Sequence, residues 1–218
     1  SWRVFRSFDW GSSAPFSVGW WAESDGCDIR MIDGSLRSTV AGDLFRIAEW
    51  YGWNGSPNKG CKMLATQIAK GIIQREIKLG IHGRVKAGPA DNSINDVVNG
   101  NCIAADMRKK VRINGVEYAG PSFTRSDKSS GSRINGWEKM RVAMYNADSS
   151  EGPREYPGLF VFRRCQDGFL RTVPSIPRCT KNMDDVDTDA EDHVADEVRY
   201  VILSAGDRFT SGTTTGHY

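Results

Sequence analysis

The sequence predicts an α/β domain built on a mixed sheet. Two observations carry this: short aromatic, β-rich segments crowd the first fifty residues, and helical periodicity alternates with short strands after that. Residues 2–9 (WRVFRSFD) and 15–22 (PFSVGWWA) read as strands joined across Gly11-Ser12-Ser13. A further β-rich stretch covers about 28–32 and 43–51, interrupted by the turn signal Asp33-Gly34. From about Lys62 to Leu79, the residues Leu64, Ile68, Ile72, Ile73 and Ile77 recur at three- and four-residue intervals, the mark of an amphipathic helix. A strand at about 82–88 ends in Gly88-Pro89-Ala90-Asp91. A helix is expected over 94–112, a mobile Ser/Gly-rich loop over 120–133, a helix over 134–146 and a strand over 158–164. The last helix is expected from about 188 to 204, capped by Thr188 or Asp189. Residues 206–218 read as a flexible tail.

The length of 218 residues suits one domain. A net charge of +2 neither demands nor excludes a polyanionic partner, so the distribution of charge has to decide. The five cysteines are scattered, without a CxxC pair or a Cys/His ligand spacing, and are expected to be free thiols of a reducing compartment. There is no membrane-length apolar run and no signal-peptide pattern, so an intracellular location is expected. The chain begins almost directly on an aromatic strand at Trp2, which suggests that a preceding segment has been removed.

Three acids have an informative setting. Asp9 ends the first strand, Asp91 ends a later strand before a helix, and Asp192 falls in the last helix with Asp196 one turn on and Arg199 beyond it. Strand ends are where open α/β sheets place ligands. The apolar stripe Val194, Val198, Val201 and Ile202, laid on the sheet, brings Asp192 and Asp196 to its rim. Carboxylates converging there repel one another unless cations intervene, and hard divalent ions, Mg²⁺ or Mn²⁺, suit oxygen ligands. Two such ions can drive phosphodiester hydrolysis. Plainer roles compete: a strand-end Asp is commonly a turn or cap residue, and Asp196 can simply pair with Arg199. The acidic run 184–192 imitates a calcium loop but has Ala190 where glycine is needed. His193 is expected to be exposed or to stand behind the ligands.

Phe8-Asp9-Trp10-Gly11, Pro15-Phe16, Trp20-Trp21, Glu49 to Trp53 and Gly88 to Asp91 resemble the nuclease half of terminase large subunits of tailed phages or prophages. So do Arg171 to Pro174, Asp185 to Thr188, Glu191-Asp192-His193 and Asp196 to Tyr200. The resemblance spans about 3–203 and implies an RNase H-like fold of the resolvase and terminase branch, with the domain at 1–205. It implies Asp9, Asp91 and Asp192 as a metal-binding catalytic triad, Asp196 as a possible fourth ligand, and two Mg²⁺ or Mn²⁺ ions. The implied activity is endonucleolytic cutting of concatemeric viral double-stranded DNA during packaging, leaving 5′-phosphate and 3′-hydroxyl ends. The implied partners are an N-terminal ATPase domain, a small terminase subunit and a portal, in the cytoplasm of a bacterial host. No phosphate-binding loop motif occurs here, so the ATPase is expected to lie outside this chain.

Candidate DNA contacts are Arg108, Lys109, Lys110, Arg112, Arg125, Lys128 and Arg133, with Lys139 and Arg141 as further cations. No base-reading motif is present, so little sequence specificity is expected. Two alternatives stand beside this reading: a DNA-gripping or motor-docking module with negligible cleavage of its own, and another RNase H-like nuclease such as a junction resolvase or RNase H.

Overall fold

The computed structural model describes residues 2–150 and 152–209. Its first strands, β1 (Arg3–Asp9), β2 (Ser17–Glu23) and β5 (Leu44–Tyr51), form an antiparallel meander in which β2 is central. Between β2 and β5 a small separate hairpin is made by β3 (Ile29–Arg30) and β4 (Leu36–Arg37), turning at Gly34 with a positive φ. Helix α1 (Ala65–Lys78) follows, then β6 (Lys86–Ala90), which pairs parallel with β1. After α2 (Ile103–Arg108) come the hairpin strands β7 (Val111–Ile113) and β8 (Val116–Tyr118), then β9 (Thr124–Arg125), parallel to β6. Helix α3 (Ser132–Tyr145), strand β10 (Leu159–Val161), the short α4 (Phe169–Thr172) and α5 (His193–Ser204) follow in order. The six-stranded sheet runs β10-β5-β2-β1-β6-β9, mixed as the sequence predicts.

Alternation along β1 divides the two faces. Phe5, Ser7 and Asp9 face α5, while Arg6 and Phe8 face α1. On one side, Val194, Val198, Val201 and Ile202 of α5 are fully buried and share a core with Trp21, Leu44, Trp137 and Phe169. On the other, Ile68, Ala69 and Ile72 of α1 pack on Val18, Trp20 and Phe8, with Met107 and Val111 closing that layer. Gly19 lies in the middle of a central strand, where a glycine ordinarily weakens a sheet. A Cβ there would meet Glu197 Oε1 at 2.4 Å and Arg46 NH1 at 2.5 Å, so the glycine makes room for the buried pair that α5 brings down.

Several sequence expectations need correction. The helix expected over 94–112 is a 3-10 turn at Asn92–Asn95, then the six-residue α2, then the β7–β8 hairpin. Asn114-Gly115, both at positive φ, is the hairpin turn that breaks it. The loop 120–133 contains β9, which extends the sheet at its edge. The strand expected at 82–88 begins at Lys86 and runs on to Ala90. The last helix starts at His193 rather than near 188, and Asp192, expected inside it, is its N-cap residue, its side chain making no capping bond. Neither Thr188 nor Asp189 caps it, because residues 176–187 are drawn into an irregular strap by the Arg178–Val186 bridge. Residues 206–209 of the expected flexible tail form a 3-10 turn that buries Phe209 in the α3/α5 core, whereas 210–218 lie outside the described residues. All five cysteines are free thiols.

Candidate active site

Parallel pairing of β1 with β6 puts their carboxyl ends side by side, and the Asp91 N–H donates to Phe8 O at 3.0 Å. Asp9 and Asp91 therefore leave adjacent strands together, as the sequence suggests. Asp9 is only 5% exposed. Its Oδ1 accepts a bond from Tyr200 Oη at 3.3 Å, and its Oδ2 lies 3.5 Å from His193 Nδ1. Asp91 caps the 3-10 turn by accepting from Ser93 N at 3.0 Å and meets Lys128 Nζ at 3.4 Å. Lys128 also reaches Tyr200 Oη at 3.2 Å.

The start of α5 supplies two more acids, Asp192 and Asp196. Arg133, at the start of α3, ties both to the strap, meeting Asp185 at 2.8 Å, Asp196 at 3.3 Å and Asp192 at 3.5 Å. Asp196 also pairs with Arg199 at 3.1 Å, so the structural role considered for it is real. Asp185 further accepts from Trp137 Nε1 at 2.8 Å, fixing the strap to α3.

The electrostatics mark this cluster as under-compensated. Burial first, then the charges of Asp196 and Asp91, push the Asp9 carboxyl up to about 7 against the lowering contact of His193. Burial and Asp196 raise Asp192 to about 6, in spite of Arg133. Burial would discharge His193, but its contact with Asp9 and the nearby Asp192 and Asp196 outweigh that and raise it. Tyr200 is raised by burial and by Asp9, Asp196 and Asp91, so it remains a hydrogen-bond donor. Of the α5 acids, Asp196 is the one whose charge adds to the rise of Asp9.

These donors are hard oxygens, the class that Mg²⁺ and Mn²⁺ prefer, and they suit such ions in kind. Their spacing is wider than a ligand shell: among the described residues no three His, Cys, Asp or Glu side chains form a group that could hold a metal ion. Lys128 and Arg133 lie among them and neutralise part of their charge.

Of the proposed DNA contacts, Lys128 and Arg133 lie in the acidic cluster itself, and Arg125 stands opposite Ala90 in the sheet, next to Asp91. Arg108, Lys109, Lys110 and Arg112 belong to the α2–β7 segment packed with α1 across the sheet from α5. Lys109 and Lys110 there are occupied by Asp106 and Glu117. Arg141 pairs with Glu138, and Lys139 donates to Gly206 O at 2.8 Å. His193 is half-buried and stands against Asp9, in the second of the two positions expected for it. Tyr200 and Asp185 fall inside the segments that resemble the terminase nuclease, but neither is singled out there as a site residue; an aromatic residue one helical turn beyond Asp196 is the local pointer to Tyr200.

No family model matches the sequence, and no curated protein matches it. The structure is similar to the large terminase from a thermophilic bacteriophage, with a TM-score of 0.59, 14% identity, and coverage of 93% of this chain and 39% of that one. The same phage protein in complex with ADP gives a TM-score of 0.60 at 13% identity, covering 94% of this chain and 40% of that one. The P22 large terminase nuclease domain gives a TM-score of 0.54 at 13% identity, covering 94% of this chain and 87% of that domain. The chain thus spans about two fifths of the thermophilic phage's large terminase but nearly the whole P22 nuclease domain, and its fold is that of a large terminase nuclease domain.

Proposed function

We propose that this chain is a metal-dependent endonuclease for double-stranded DNA, the nuclease part of a phage or prophage terminase large subunit. The observation that carries the reading is the position of Asp9, buried at the end of β1 with its carboxyl raised to about 7 by burial and by neighbouring acids. The strand order β5-β2-β1-β6-β9, three antiparallel strands followed by two parallel ones, supports an RNase H-like assignment. Asp9, Asp91 and Asp196 are the acids we assign to two Mg²⁺ or Mn²⁺ ions, with Asp192 at their margin. When bound, such ions supply an activated water and charge stabilisation at the leaving oxygen.

The chain's own groups have separate tasks. His193 is oriented from behind by Asn58, whose Oδ1 is 2.9 Å from Nε2, and steadies Asp9 from the front. Tyr200 donates to the other oxygen of Asp9. Lys128 and Arg133, now paired with the acids, would be free to offer positive charge to a phosphodiester once ions took over that neutralisation, with Arg125 on the adjoining strand. In the intact protein we assign an ATPase domain as the covalent partner, with a small terminase subunit, a portal and the bacterial cytoplasm as the setting.

A second reading has its own support. The ion pairs of Lys128 and Arg133 and the wide acid spacing also suit a module that grips DNA and cleaves little by itself. Supercoiled-plasmid cleavage in EDTA, Mg²⁺ and Mn²⁺ separates the two. The nuclease reading expects nicking and linearisation only with metal, abolished in Asp9→Asn, Asp91→Asn and Asp196→Asn and merely slowed in Asp192→Asn. Duplex binding without cleavage under either metal would favour the gripping module. Equal preference for hybrids or four-way junctions would favour another RNase H-like nuclease.

A further inference from the structure

On the α1 side of the sheet, away from the acidic cluster, lies a cavity of about 200 Å³ between β2, β5, the end of α1 and the residues after β10. Arg75, Lys78 and Arg164 line it, with Trp20 and Glu49. Arg75 is held in place. Gly71, one turn earlier, admits the Trp50 ring, since a Cβ there would fall 2.3 Å from it. The Arg75 guanidinium stacks on that ring at 3.6 Å and donates to Gly71 O at 3.2 Å. This posture leaves the remaining edge of a planar fork free, the arrangement that recognises paired oxygens of a phosphate.

The charge around it is not balanced. Arg46, Arg133 and Arg171 each sit against carboxylates, but burial alone acts on Arg75, lowering it, with no acid contributing. Lys78 and Arg164 are exposed, and among the described residues neither forms an ion pair. The one acid in the wall, Glu49, is already bonded to Arg46 Nε at 3.3 Å, Gly168 N at 2.7 Å and Phe169 N at 2.9 Å.

We propose that this cavity is a second, metal-independent anion site that takes a phosphate group, from a nucleotide or from a DNA strand. It is independent of the nuclease assignment. The test is calorimetric titration of the Asp9→Asn chain in EDTA with inorganic pyrophosphate, adenosine monophosphate and a short duplex. Pyrophosphate binding is expected, weakened about tenfold or more in Arg75→Gln and Arg164→Gln as charge-assisted bonds are lost, and weakened less in Arg75→Lys. Tighter binding of the monophosphate identifies a nucleotide source, and tighter, salt-sensitive binding of the duplex identifies a strand only where Arg164→Gln weakens it, since the cations beside the acidic cluster are untouched by that substitution. Arg164→Gln and Lys78→Gln change exposed side chains, and unchanged thermal unfolding shows that lost binding is not lost folding. Absent pyrophosphate binding, or binding indifferent to all of these substitutions, overturns the site. Because no divalent ion is present and Asp9 is already replaced, either result leaves the cleavage question untouched.

Discussion

Helix α5 presents two sets of acids to the same sheet, and they are opposites. Glu197 is fully buried and fully used. Its oxygens meet Arg46 at 2.5 Å, Ser17 at 3.1 Å and Trp21 at 3.2 Å, and Ser7 as well. The adjacent residue, Asp196, belongs with Asp192 to the cluster around Asp9 and Asp91, where burial and mutual repulsion raise two carboxyls well above their ordinary range. Burial alone therefore does not mark a functional acid. The mark is burial without enough positive charge to match it: on that criterion Glu197 belongs to the fold, while the acidic cluster carries the unmatched charge that the proposed cation site calls for.

The largest effect that sharpens this contrast is on stability. Glu197→Ala removes the closer of the two carboxylates that hold the buried Arg46, leaving it Glu49 alone, at a cost of about 3–5 kcal/mol, and lowers the melting temperature by roughly 10 °C. A shift within about 1 °C would remove the distinction between the two sets. Gly19→Ala attacks the same pair from the strand side, and its overpacking costs about 1–3 kcal/mol in chemical unfolding.

The acidic cluster is expected to respond in the opposite direction. The Asp9 carboxyl stands at about 7 when folded against 3.8 ordinarily, so its contribution to stability is present below 3.8 and is lost as pH rises through about 7. Metal-free Asp9→Asn should then unfold at a higher temperature than the parent at about pH 8, by a few degrees, with the gap closing toward about pH 4. A gap that widened on acidification would contradict the assignment. The smallest expected effect is Tyr200→Phe, which removes the long bonds of its hydroxyl to Asp9 and from Lys128 and costs about 1 kcal/mol, read by the same melts.

The parts of the fold set by local pattern were legible in the sequence. Alternating aromatics locate β1 and β2, three- and four-residue spacing locates α1, and the stripe of Val194, Val198, Val201 and Ile202 locates the buried face of α5. Asp9 and Asp91 were readable because a strand end is a local feature. Interactions between distant segments were not. The buried role of Glu197 depends on Arg46, 151 residues away, and the bracing of Arg133 depends on Asp185, 52 away. The overlong helix at 94–112 is a different failure, since Asn114-Gly115 announced a hairpin in the sequence and the preceding basic run, Arg108 to Arg112, masked it.

Whether the unbalanced acids are a cation site is tested most directly by counting bound Mn²⁺ through electron paramagnetic resonance of the metal-stripped chain. Two ions per chain are expected, with binding lost in Asp9→Asn and tightened in Arg133→Gln, where a competing cation has been removed. Saturation at no ions, or two ions bound equally well by Asp9→Asn, would contradict the assignment.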